Sequence, residues 1–185
     1  MCCLFGLIDY GHSLTVKQKE HFVSSLAASA EARGTDAAGI AYNSRNKLRI
    51  YKRPWPAHFM PFHIPADTFA VMGHTRMATQ GKASCNYNNH PFLGYVQGLP
   101  FALAHNGVLY NDDILRQNLR LPRTKIETDS YISVQLIERK NTLDFNSLRY
   151  MAEQVEGSFS FTVLDSSDNL YIVKGDNPLC LYHFP

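Results

Sequence analysis

Cys2 stands directly behind the initiator methionine, and its chemistry depends on that place in the chain. Aminopeptidases remove Met1 when the next side chain is small, and cysteine qualifies. The product carries a thiol and a free α-amine on one residue. An α-amine ordinarily titrates at about 7.7–8.0, so a useful fraction is neutral base near physiological pH. A thiol is the side chain most readily activated as a nucleophile. Position alone fits an ordinary buried cysteine better.

Four other segments hold residues of chemical interest. The run from Gly73 to Gly81 (Gly-His-Thr-Arg-Met-Ala-Thr-Gln-Gly) sets one cation, Arg76, among hydroxyls at a strand end. A guanidinium there suits bidentate capture of a carboxylate, or a surface salt bridge. In Ala104 to Val108 the side-chain N–H of Asn106 and the backbone N–H of Gly107 can form a two-donor oxyanion hole. The same pair also reads as an Asn-Gly turn. In Glu127 to Ser130, Asp129 can bind an ammonium group or cap a helix. Asn88 to Phe92 reads as an ordered polar turn. A metal site from His74, Cys85, His90 and His105 is conceivable, but hydrogen-bonded histidines near a pocket fit better, so no metal or cofactor is expected.

These residues need a scaffold. The 185 residues are 45% hydrophobic, enough for one domain, taken as 2–185 with Met1 removed. A net charge of +2 is too balanced to argue for nucleic acid or a membrane surface. The four cysteines lack zinc spacing, and the N-terminus lacks a basic leader, so a reduced, cytoplasmic protein is expected. Strands are predicted at Cys3 to Asp9, Phe69 to Thr75, Phe101 to His105, Ser158 to Leu164, Leu170 to Lys174 and Leu179 to His183. A hairpin is predicted over Gly39 to Asn43 and Leu48 to Lys52. A helix from Thr15 to Arg33 opens on a Thr15–Gln18 capping box, turns Phe22, Val23, Leu26, Ala27 and Ala30 inward, and ends at Gly34. Further helices are predicted at Asp112 to Leu119, Asp129 to Lys140 and Phe145 to Val155, with Asn111 and Asp144 as N-caps. The aromatic, proline-rich stretch Arg53 to Pro65 reads as an ordered loop on the surface. Strands flanking central helices give an α+β class with mostly antiparallel sheet.

The order of the motifs is more specific than any one of them. Met-Cys, then Arg33-Gly34-Thr35-Asp36-Ala37-Ala38-Gly39, His74-Thr75-Arg76-Met77-Ala78-Thr79, Asn89-His90-Pro91, His105-Asn106-Gly107 and Glu127-Thr128-Asp129 resembles the class II glutamine amidotransferases. These are N-terminal-nucleophile hydrolases, and the sequence most resembles the glutaminase domain of glucosamine-6-phosphate synthase. The resemblance implies a four-layer αββα sandwich, abbreviated at its C-terminus, that hydrolyses the side-chain amide of L-glutamine. It implies Cys2 as nucleophile, with Asn106 and Gly107 at the oxyanion. Arg76 and Thr79 would hold the substrate carboxylate and Asp129 its ammonium, with Arg33 lining the pocket.

Three positions depart from the pattern. Met77 replaces the usual Trp, Gln80 the usual His, and Cys3 a Gly or Ser. With no acceptor domain in the sequence, ammonia would go to a separate synthetase subunit or to water, and a homo-oligomer is left open. Two other readings stand beside this one. One is a catalytically silent glutamine-binding regulatory module. The other is an N-terminal-cysteine hydrolase of another linear amide, which would give Arg76 and Asp129 no zwitterion to grip.

Overall fold

The computed structural model describes residues 2–184. Its first half forms strand β1 (Cys3–Ile8), helix α1 (Val16–Ala30), a 3-10 turn (Glu31–Arg33), and strands β2 (Ala37–Ser44), β3 (Lys47–Arg53) and β4 (Ala70–Arg76). Its second half forms β5 (Phe92–Val96), β6 (Leu99–Leu109), helices α2 (Asp112–Asn118), α3 (Tyr131–Lys140) and α4 (Phe145–Gln154), then β7 (Gly157–Asp165) and β8 (Leu170–Lys174). The strands make two antiparallel sheets of four, ordered β1-β4-β2-β3 and β5-β6-β7-β8.

Strand alternation stacks these elements into layers, because successive side chains point to opposite faces. In the first sheet Ile40 and Val71 join Val23 and Ala27 of α1, while Ala41, Ala70 and Met72 face the other way. In the second sheet Phe101, Leu103 and Phe161 pack on Ile132, Leu136, Leu148 and Met151 of α3 and α4. Their neighbours Ala102, Ala104 and Leu164 meet Ala41, Ala70 and Met72. Alanines fill much of the buried centre of this seam, with Met72 and Leu164 among them and larger side chains such as Ile8 and Ile50 at its margins. The result is the expected αββα order.

Several local expectations change. The Thr15–Gln18 capping box forms, but α1 ends at Ala30 and Phe22 and Leu26 stay 44% and 38% exposed. The seat on the sheet is narrow enough that Val23, Ala27 and Ala30 fill it. Asp144 caps α4 as expected. Asn111 takes the N-cap position of α2 without a capping side-chain bond; its side chain bonds Gln154 O and the Glu156 amide. β5 is an unexpected strand, short and glycine-containing, and β6 runs well past His105. Leu179 to His183 is not a strand; Leu181 and Tyr182 are exposed, and no buried face fixes a register there. The Arg53 to Pro65 loop does pack, burying Met60, Phe62 and Ile64 against α1 and the first sheet. Among the described residues no helix is long and apolar enough to cross a membrane.

Candidate active site

Register brings the N-terminus to the site. Cys3 pairs with Thr75 and Ala37 with Arg76, so β1 and β2 begin where β4 ends. Cys2, the turn through Asp36 and Arg76 therefore share one end of the first sheet. Gly34 permits that approach, since a Cβ there would sit 2.4 Å from the Arg76 carbonyl carbon. Asp36 then ties the turn to the segment after β4: its amide donates to Arg76 O at 2.9 Å, and its carboxylate accepts from the Ala78 amide at 2.8 Å.

The Cys2 sulfur is half-buried, 3.6 Å from Met77 O. Burial pushes its thiol up, opposed by backbone hydrogen bonding at Met77 and the positive charge of Arg76. Arg33 is exposed, and its Nε donates to Cys2 O at 3.1 Å. This contact sets Arg33 beside Cys2. Arg76 is 3% exposed and faces the charges of Cys2, Asp36 and Asp129, while burial pulls its guanidinium down. Its Nη1 donates to Asn89 Oδ1 at 2.6 Å, and its Nη2 to the carbonyls of Gln80 and, at 2.9 Å, Gly81. Thr79 and Met77 are exposed on the loop that follows.

The second sheet contributes β6. Gly107 has φ +151°, and a Cβ there would lie 1.9 Å from Ser158 O, so only glycine lets β6 stay paired with β7. Asn106 is half-buried, its carbonyl accepting from Asn177 Nδ2 at 2.7 Å. His74 Nε2 lies 2.9 Å from His105 O; a carbonyl only accepts, so Nε2 carries the proton and bridges β4 to β6. Asp129 is buried two residues before α3, whose N-cap position is Ser130. Its Oδ2 accepts the Leu109 amide at 2.7 Å, and its Oδ1 the Ser130 hydroxyl at 3.3 Å. That hydroxyl also bonds His105 Nδ1 at 2.8 Å. Cys2, Arg76 and Asp129 thus feel one another's charge, and the His74–His105 bond ties β6, which carries Asn106 and Gly107, to β4.

Residues 74–183 of this chain match the family described as a glutamine amidotransferase domain. The chain belongs to the class II glutamine amidotransferase family. It is 30% identical over 190 residues to a glutamine–fructose-6-phosphate aminotransferase (isomerizing) of Sulfurisphaera tokodaii, covering 98% of this chain and 31% of that protein. The enzyme of the same name from Bacillus licheniformis is 32% identical over 187 residues, covering 97% of this chain and 30% of its own. The chain thus spans about a third of the length of these curated relatives. In fold it is similar to the glutamine phosphoribosylpyrophosphate amidotransferase of B. subtilis, with a TM-score of 0.66 and 24% identity over 88% of this chain and 35% of that one.

Two residues of this candidate site are not evident from the sequence. Asp36 and Asn89 orient the Arg76 segment from distant positions, and only their presence inside recurring motifs hints at it. The three central histidines are buried, with the His74 and His90 rings 4.1 Å apart. Burial lowers His74 to about 3 and His105 to about 4, and pushes His90 well below its usual range. Among the described residues no group of three or more His, Cys, Asp or Glu side chains could hold a metal ion.

Proposed function

We propose that this domain hydrolyses the side-chain amide of L-glutamine through Cys2, giving glutamate and ammonia. The observation that carries the reading is the approach of a buried cation, Arg76, and a buried anion, Asp129, to one thiol. Glutamine offers that set its own two charges and an amide. Arg76 takes the α-carboxylate in place of loop carbonyls, with Thr79 beside it. Asp129 takes the α-ammonium with lone pairs left after its two present bonds. A substrate lacking either charge leaves a buried partner unmatched, which selects against other linear amides.

A thiol kept protonated by burial needs a proton acceptor when it attacks. The α-amine of Cys2 serves once Met1 is gone; Met1 itself lies outside the described residues. The amine takes the thiol proton, and sulfur bonds to the amide carbon. The oxygen gains charge between the Asn106 side chain and the Gly107 amide. Collapse passes the proton to the departing nitrogen, releasing ammonia and leaving a thioester on Cys2. Water, deprotonated by the same amine, frees glutamate. Ammonia then passes to an acceptor domain or separate subunit, or to solvent.

The test is ammonia release from L-glutamine by protein shown by mass spectrometry to begin at Cys2. Turnover is expected there, and none with Cys2→Ala or with Met1 retained. Full activity with Met1 in place would sink the free-amine mechanism. Glutamine binding without turnover by the processed protein would favour the regulatory-module reading.

A further inference from the structure

Building on the reading of Arg76 as carboxylate ligand, we propose that Lys52 is a positioning residue for it: the Lys52 ammonium fixes the turn whose Asn89 side chain holds Arg76, and lends the pocket a second positive charge. Lys52 lies on β3 opposite Gly39 of β2. A Cβ at Gly39 would meet His90 O at 2.3 Å and Lys52 Cβ at 2.7 Å, so the glycine lets turn and lysine close on the same spot. Lys52 Nζ donates to Asn89 O at 2.5 Å and Pro91 O at 2.9 Å, and sits 5.2 Å from the Phe92 ring centroid. Its carbonyl accepts from Asn86 Nδ2 at 3.0 Å. Asn89 Nδ2 in turn donates to Asn86 Oδ1 and Ala83 O, leaving Oδ1 aimed at Arg76 Nη1. Lys52 thus grips the turn through both its ammonium and its backbone.

Its charge is uncompensated. The groups facing it are Arg76 and His74 of β4 and His90 of the turn, with Arg53 Nη1 on its carbonyl. Among the described residues Lys52 forms no ion pair. Burying a cation beside another without an anion is costly, and a bound carboxylate would supply the anion. Burial, then the Arg76 charge, lowers the Lys52 ammonium to about 8. A carboxylate favours the protonated lysine, so affinity is full below that pH and declines as pH rises through it.

The experiment compares wild type, Lys52→Met, Lys52→Arg and Asn89→Ala, all processed to Cys2, for kcat and KM of glutamine hydrolysis from about pH 6.5 to about pH 9.5. We expect Lys52→Met and Asn89→Ala each to raise KM roughly tenfold with kcat within about twofold, and their combination to add little. Lys52→Arg should lose the rise in KM that wild type shows near pH 8. The α-amine of glutamine titrates alike in every variant and cancels in that comparison. An unchanged KM in Lys52→Met, or the wild-type rise persisting in Lys52→Arg, would overturn the proposal. Should Lys52→Met not fold, the arginine profile decides alone. Loss of wild-type turnover and glutamine binding would instead remove the glutaminase reading beneath it.

Discussion

Asn106 and Gly107 are adjacent, yet their contributions separate by physics. Asn106 offers a side-chain donor, so Asn106→Ala should lower kcat roughly 10²–10³-fold with little change in KM, read from steady-state hydrolysis. A parallel rise in KM would mean that the side chain binds ground state and transition state alike. In the proposed reaction Gly107 serves through its backbone, and Gly107→Ala would drive a methyl into Ser158 O at a φ of +151°. A stability loss of at least about 1–3 kcal/mol by urea unfolding is expected, because that clash adds to the backbone strain. Residue types at the site were legible because their chemistry is intrinsic: a leading thiol, one guanidinium, one carboxylate, an amide beside a glycine. Asn89, Asp36 and Lys52 were not, because each acts on a partner far away in the chain through a contact that folding creates.

Helix ends carry the next scale, where local rules work best. The Thr15–Gln18 box is a four-residue matter and forms as written, so Thr15→Ala should cost ~1 kcal/mol by thermal or urea unfolding. Beyond the cap, α1 is fixed by a contact its own sequence does not advertise. Lys19 is 1% exposed, 3.2 Å from Asp9 at the end of β1, and its Nζ also donates to Ala66 O and Thr68 O. Burial alone would raise the Asp9 carboxyl, but Lys19 and the amides of Ser13 and Leu14 hold it below its usual range. Asp9→Ala would leave that ammonium buried and unpaired, at an expected cost of ~3–5 kcal/mol in urea unfolding; a loss under about 1 kcal/mol would show that the carbonyls suffice. Such a clamp explains how α1 stays seated on a stripe of small residues while Phe22 and Leu26 face solvent.

Across the whole molecule the two sheets meet at alanines and at three buried histidines, and that seam makes stability depend on pH. Unfolded histidine titrates near pH 6.5, whereas burial holds His74 at about 3 and His105 at about 4 in the fold. Between those values the unfolded chain binds more protons, so stability falls as pH drops from about 6.5 toward 4, by roughly 1.4 kcal/mol per pH unit for each histidine. The urea midpoint should therefore be clearly lower at about pH 5 than at about pH 7.5; equal midpoints would mean that the histidines protonate without unfolding. By itself the sequence determined the candidate nucleophile, the groups of the proposed glutamine site, the Thr15–Gln18 capping box and the α+β class, since these follow from side-chain chemistry and short-range periodicity. Tertiary structure decided which faces are buried, that Leu179 to His183 is not a strand, and that Arg76 is held by Asn89. Those outcomes depend on the register between strands and on packing between layers, which pair residues tens of positions apart and leave no periodic mark in the chain.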